Sequence, residues 1–296
     1  MTISAGGTRL PAMKLIRSVA EMQEASAAAK RGGRRIALVP TMGALHDGHR
    51  ALIRAARLKC DALAVSIFVN PAQFGPKEDF AKYPRPIAID RALCRQEAVD
   101  VCFEPTASSM YPAGFQTSVT VPHVARRWEG ESRPHHFSGV ATVVTKLFGI
   151  VRPHVALFGQ KDYQQCALVR RLVKDLDLGV EIVVRPTIRE RDGLAMSSRN
   201  RYLSPEERRI APVFYRALQA GRQAVERGTT DSKAVEQLMR ATISEEPTIR
   251  IDYLAVCDPV TLEPLTNIGR QAVLLGAVRI GSVRLIDNMA VRRKRG

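Results

Sequence analysis

The chain has 296 residues, 45% hydrophobic and 5% aromatic, with 45 Lys and Arg against 29 Asp and Glu for a formal net charge of +16. It is long enough to bury a full core in two domains. No apolar run approaches the roughly 18 residues of a membrane span, the start around Ser4–Gly7 is too weakly apolar for a secretory signal, and five cysteines without framework spacing point to a reducing compartment, so a cytoplasmic protein is expected.

In chain order, Leu15–Arg31 has helical periodicity and runs into a turn at Gly33. The apolar run Ile36–Val39 has the length of a strand buried on both faces of a parallel sheet. It leads into Pro40-Thr41-Met42-Gly43-Ala44-Leu45-His46-Asp47-Gly48-His49, after which Arg50–Lys59 resumes at helical period. His46 and His49 therefore fall at a strand-to-helix turn, where unpaired N–H groups and the positive end of the helix dipole favour phosphate. Gly43 and Gly48 let the backbone turn sharply and approach a triphosphate. Two imidazoles on such a turn can donate hydrogen bonds to phosphoryl oxygens as charge builds there. Capping histidines, or a zinc site completed by a third ligand, are the alternatives at this point.

Leu63–Val69 reads as the next strand, ending in Asn70-Pro71-Ala72-Gln73, where Pro71 stiffens the loop and Gln73 offers an amide to substrate. A helix at Ile87–Ala98 holds Asp90, and Val99–Phe103 is a third strand. Val140–Val151 has helical period, and Val155–Phe158 is again an apolar strand, with Gly159 as the turn and a helix from Lys161 to Leu176. Lys161, Asp162 and Gln165 then lie at a strand's carboxyl end, where open α/β sheets bind ligands. With Glu181–Val184 as the last of these strands, the alternation predicts an α/β fold: a doubly wound, Rossmann-like parallel sheet.

Past Pro186 the pattern changes. Asp192-Gly193-Leu194-Ala195-Met196-Ser197-Ser198-Arg199-Asn200 reads as a loop that sets two hydroxyls beside a guanidinium fork suited to phosphate. Ser204-Pro205 starts a helix to about Arg227, Thr230–Glu246 is another, and Ile251–Cys257 and Gln271–Ile280 read as strands. The expected division is a Rossmann-like first domain at 1–186 and a smaller α/β closing domain at 187–296. The basic balance also admits an RNA-binding or tRNA-charging protein, because H-x-G-H occurs in class I aminoacyl-tRNA synthetases. Against that, Arg and Lys are scattered, aromatics for base stacking are few, and no room remains for an anticodon domain.

Seven blocks occur in one order: P-T-M-G-A-L-H-D-G-H at 40–49, S-I-F-V-N-P-A-Q-F-G at 66–75, Y-P-R at 83–85, E-G-E-S-R-P-H-H-F-S-G-V at 129–140, F-G-Q-K-D-Y-Q-Q at 158–165, D-G-L-A-M-S-S-R-N-R-Y-L-S at 192–204 and V-R-L-I-D-N at 283–288. Together they resemble the pantothenate synthetase family of nucleotidylyl transferases, from about Met13 to Asn288. The chain departs from that pattern at His135, where the family carries glycine, in its N-terminal extension, and in the basic tail Val291–Gly296.

The resemblance implies ATP-dependent condensation of pantoate with β-alanine through pantoyl adenylate, with Mg2+, by a homodimer that binds small molecules and neither nucleic acid nor membrane. The first domain would bind ATP and pantoate. Carried over by residue, the resemblance implies ATP contacts at Met42, Gly43, Ala44, Leu45, His46, Asp47, Gly48, His49, Gly159, Gln160, Lys161, Asp162, Ile188, Met196, Ser197, Ser198 and Arg199, with Ile188 at the adenine end. It implies pantoate contacts at Gln73 and Gln165, and Gln73 near β-alanine. His49 takes the general-acid position, with His46, Lys161, Ser197, Ser198 and Arg199 completing the catalytic set; no resident metal site is expected.

Overall fold

Five apolar runs become neighbouring strands of one parallel sheet. The computed structural model describes residues 13–293 except residue 77, so the N-terminal extension and the end of the basic tail lie outside the described residues. Strands β1 (Lys14–Ile16), β2 (Ile36–Thr41), β3 (Ala62–Ile67), β4 (Val101–Phe103), β5 (Val155–Gly159) and β6 (Glu181–Arg185) pair in the order β1-β4-β3-β2-β5-β6. All five pairings are parallel. Alternate residues feed two cores, as the two-residue pleat requires. Ala37, Val39, Leu63 and Val65 pack with Ile53, Ala56 and Leu93 on one face, and Ile36, Leu38 and Ala64 pack with Val140, Val144 and Leu168 on the other. This double covering is why the strands read as unbroken apolar runs.

The chain moves outward from β2 through β3 to β4, then returns to β5 beside β2 and goes on to β6. The reversal leaves a crevice between the carboxyl ends of β2 and β5, the switch point where such sheets bind ligands.

Several boundaries differ from expectation. Residues 14–16 form an edge strand, and the helix expected from Leu15 is Val19–Arg31, capped by Ser18, whose Oγ accepts the Glu21 N–H. The helix expected from Arg50 begins at Asp47, placing His49 inside its first turn. The one expected from Lys161 begins at Tyr163, leaving Lys161 and Asp162 in the preceding turn. Ser204 and Glu207 form a reciprocal cap, but the helix they start is two: Pro205–Ile210, then Val213–Glu226. Pro212 supplies no N–H at the break.

Beyond β6, β7 (Ile249–Cys257), β8 (Gln271–Ile280) and β9 (Val283–Arg292) form an antiparallel sheet in that order. The sequence pattern does not predict β9, because Arg284, Asp287 and Asn288 interrupt its apolar alternation. Helices Val213–Glu226 and Ser232–Ser244 cover one face, packing Phe214, Leu218, Val235 and Met239 on Leu254, Val256, Leu274 and Val278. The opposite face is also buried: Ala255, Cys257, Val273 and Leu275 share a core with Val124, Cys166 and Leu168 from the first sheet's layer. Trp128 Nε1 donates to Leu262 O at 3.0 Å, and Tyr163 Oη to Pro259 O at 2.9 Å, along this seam. Among the described residues no helix is long and apolar enough to cross a membrane.

Candidate active site

A cleft of about 1010 Å³ opens over the carboxyl ends of β2 and β5 and beneath β8 and β9. Met42, His46, Gly48, His49, Gln73, Gly159, Lys161, Asp162, Gln165, Ile188, Met196, Ser197, Ser198 and Arg199 all line it. Gly43, Ala44, Leu45, Asp47 and Gln160 do not.

The reason lies in where the turn's amides go. Thr41 Oγ1 accepts the Gly43 N–H at 3.2 Å, and the buried Asp90 carboxylate accepts those of Ala44 and Leu45 at 2.9 and 2.8 Å. Gly43 at φ +84° allows this inward curl, and a side chain there would meet Asp90. His46 Nδ1 then accepts the Gly48 N–H at 3.1 Å, and His49 Nδ1 accepts the His46 N–H at 3.3 Å. The expected phosphate-binding amides are thus already bonded within the protein. The imidazoles take their place: with Nδ1 accepting on both rings, each neutral ring carries its proton on Nε2 and presents a donor to the cleft. The same two histidines therefore cap the helix and line the cleft.

Electrostatics keep those rings neutral. Burial, followed by Lys161, lowers His46 to about 4; burial, followed by His46 and Lys161, lowers His49 to about 3. At neutral pH they can donate hydrogen bonds without carrying charge, which fits a donor to phosphoryl oxygen better than an imidazolium acid. Among the described residues no group of three or more His, Cys, Asp or Glu is placed to hold a metal ion.

Across the crevice, Lys161 Nζ lies 3.9 Å from the half-exposed Asp162 carboxylate, a loose pairing that leaves the ammonium available to an anion. The two adjacent glutamines both line the cleft, but only Gln164 is tied into a structural network. Gln164 is buried, donating to Val124 O and Arg127 O at 2.7 and 2.9 Å and accepting the Glu129 N–H, so it braces the neighbouring segment. Gln165, one residue on, lines the cleft.

Gln73 is buried at the cleft wall, its Nε2 donating to Met42 Sδ at 2.8 Å and its Oε1 accepting from Asn70 at 3.2 Å. A thioether is a weak acceptor, so that N–H transfers readily to a ligand oxygen. The Gln73 carbonyl is pinned by His136 Nδ1–H at 2.9 Å and Arg133 at 3.2 Å, and Glu78 fixes Arg133 in turn. The supporting roles of Asp90, Arg133 and His136 escape a reading of the sequence because the groups they hold are distant along the chain. His135, by contrast, is exposed with φ −96°, a backbone geometry open to any residue.

The Ser197–Arg199 loop is more structured than its composition suggests. Ser197 Oγ accepts the Arg199 N–H at the head of a short 3-10 turn, Ser198–Tyr202, and Arg199 pairs with Asp79 at 3.2 Å. Ile188 O accepts the Met196 N–H at 2.9 Å, closing the segment at its root.

A model of the pantoate-beta-alanine ligase family matches residues 14–290. The pantothenate synthetase of Syntrophotalea carbinolica is 51% identical over 93% of this chain and 98% of its own length, and that of Moorella thermoacetica is 49% identical over 94% and 99%. The chain belongs to the pantoate–β-alanine ligase family. The crystal structure of the Thermus thermophilus pantothenate synthetase superposes with a TM-score of 0.89 at 47% identity, covering 94% of this chain and 99% of that one. A Francisella tularensis pantoate–β-alanine ligase, solved with β,γ ATP and β-alanine, gives 0.78 at 34% identity over 94% and 97%. Membership in the pantoate–β-alanine ligase family makes the chain a ligase of pantothenate biosynthesis, with ATP as a substrate, and decides against the tRNA-charging alternative.

The half-buried histidines have a consequence for acid stability. His46, His49 and His136, the last lowered to about 4 chiefly by burial and then Arg133, all release protons more readily when folded. The unfolded chain takes up protons near pH 6.5, so their contribution is intact above that value and is lost as pH falls from 6.5 toward 4. The limiting slope is about 1.4 kcal/mol per pH unit per histidine. Urea unfolding at pH 7 and pH 5 is expected to show a smaller loss for His136→Gln than for wild type; parallel losses would mean that His136 titrates normally in the fold.

Proposed function

We propose that the cleft joins pantoate to β-alanine in two half-reactions separated by pantoyl adenylate. A carboxylate does not acylate an amine directly, because oxide would have to leave. One pantoate carboxylate oxygen therefore attacks the α-phosphorus of ATP and pyrophosphate departs. The β-alanine nitrogen, having lost its proton, then attacks the acyl carbon, and AMP leaves. No side chain need form a covalent bond to substrate.

The observation that carries this reading is convergence across the switch point. Two neutral imidazole donors stand at the end of β2 and Lys161 at the end of β5, lining one cleft with Gln73, Gln165 and the Ser197–Arg199 loop. Lys161 offsets triphosphate charge, while His46 and His49 donate through Nε2 to the oxygens where charge grows at phosphorus. Ser197, Ser198 and Arg199 hold the departing phosphates, Met196 and Ile188 flank the nucleotide, and Gly159 leaves room beside it. Gln73 and Gln165 read pantoate, with Gln73 also beside β-alanine. A magnesium ion carried by ATP fits this donor set: Asp162 is a cleft carboxylate with only a loose partner, and Mg2+ commonly takes one or two carboxylates plus substrate phosphates. Such an ion would spread the charge on the phosphates.

The division at residue 186 belongs to the same proposal, residues 1–186 binding ATP and pantoate and 187–296 closing over them. So does a cytoplasmic homodimer, supported by the family resemblance and measurable by sedimentation. The direct test is pyrophosphate release from ATP and pantoate with β-alanine omitted. One equivalent per site is expected; none would sink the adenylate.

Two further results are expected. Gln73→Ala or Gln165→Ala should weaken pantoate use by about 1–3 kcal/mol while ATP affinity barely changes, because pantoate oxygens lose their partners. Equal losses for both substrates, titrated separately, would make the glutamines structural. ATP should also slow amide hydrogen exchange across 192–200 more than in the helix after Ser204, as the Arg199–Asp79 pair gives way to phosphate contacts. A segment fully protected before ATP is added would rule out its closing over the nucleotide.

A further inference from the structure

We infer that the dipeptide Asp287-Asn288 on β9 is a positioning joint that sets the spacing between the Lys161 turn and the Ser197–Arg199 loop. Asn288, 2% exposed, donates through Nδ2 to the carbonyls of both Gln160 and Lys161, at 2.8 and 2.9 Å, and its Oδ1 accepts from Gln160 Nε2 at 3.3 Å. Its amide is thus bonded to the single turn that presents Lys161. Asp287 is similarly buried and accepts both Arg189 guanidinium donors as well as the Asn288 N–H, the last at 2.7 Å. Arg189 in turn donates to Gly193 O at 3.0 Å and lies over the Tyr215 ring at 4.4 Å. Its backbone bridges to Ala195 at the base of the short turn that delivers Met196 and the serines.

Successive strand residues face opposite sides, so two adjacent positions reach two separate segments from one rigid strand. Burying a carboxylate and an amide is costly unless both are fully bonded, as Asp287 and Asn288 are here. What the polar pair adds is a fixed distance between the cation at the end of β5 and the hydroxyls on the facing loop. A displacement of about 1 Å at such a site can cost about 100-fold in rate. Neither residue need touch substrate; Asn288 acts through Lys161.

This inference rests on the reading that Lys161 offsets triphosphate charge, and the test separates the two. Single-turnover adenylation with ATP and pantoate is measured for wild type, Asn288→Ala, Lys161→Ala and the double variant, with ATP and pantoate affinities from calorimetry. Asn288→Ala should be about 100-fold slower, with weaker ATP binding and unchanged pantoate binding. In the Lys161→Ala background the same change should matter by no more than about twofold, the non-additivity expected of residues acting as a unit. Asn288→Ser, which leaves a smaller void, should show the same pattern if the alanine variant fails to fold. Equal losses in both backgrounds, or a wild-type rate for Asn288→Ala or Asn288→Ser, would overturn the joint. Wild-type adenylation by Lys161→Ala would instead overturn the reading of Lys161, and the joint with it.

Discussion

His49→Ala is expected to slow pantoyl adenylate formation by about two to three powers of ten, the usual cost of one transition-state donor. The ring sits in the first turn of the helix Asp47–Arg57, lines the cleft, and is held by the His46 N–H in the tautomer that presents Nε2–H. Its loss removes both a donor and half of a reciprocal cap, so a modest fall in stability of about 0.5–2 kcal/mol should accompany the rate effect. His49→Gln keeps a donor and should recover part of the rate. Rapid-quench measurement of adenylate at saturating ATP and pantoate, alongside a melting curve, separates the two losses. A folded His49→Ala protein adenylating at the wild-type rate would remove His49 from the chemistry.

Gly139→Ala should also be damaging, without touching a reacting atom. Gly139 lies in the helix His136–Val151, and a Cβ there would collide with Ala72 O and stand 2.6 Å from Gln73 N. The helix approaches the Gln73 loop this closely because nothing projects from Gly139, and Asn70 Nδ2 bonds its carbonyl at 3.1 Å. Adding a methyl must push Gln73 away or unseat the helix, at about 1–3 kcal/mol for an overpacked site. Pantoate affinity should fall by about tenfold or more, a larger loss than that of ATP affinity. Equal affinities for both substrates in wild type and variant would show that the loop absorbs the methyl without moving Gln73.

The central strands are legible in the sequence because burial on both faces leaves only apolar residues through most of β2, β3 and β5, a pattern that few other environments produce. The cleft residues are legible for a related reason: Gly, His, Lys and Gln immediately after such strands have little to do for packing. β1 escapes because it is three residues long and its pairing with β4 lies far along the chain. The polar supports escape too. Asp90 under the 44–45 amides, His136 under Gln73 and Asn288 under the Lys161 turn each look like ordinary surface residues until the chain folds. His46 is legible only in part: capping stands among its sequence readings, but the amides expected to be free for phosphate are taken by it and by Asp90.

The burial of the second sheet on both faces bears on how the polypeptide is made. Ribosomal synthesis delivers the parallel sheet first, with Val124, Cys166 and Leu168 lacking the cover that Ala255, Cys257, Val273 and Leu275 later supply. At about 5–20 residues per second, the roughly 100 residues after Pro186 take on the order of 5–20 seconds to emerge. Throughout that interval the nascent chain carries an oily patch beside an unfinished nucleotide cleft, an opening for chaperones and proteases alike. A message truncated before β7 would yield a product that stays in that state, so quality control rather than turnover number would decide the fate of such alleles.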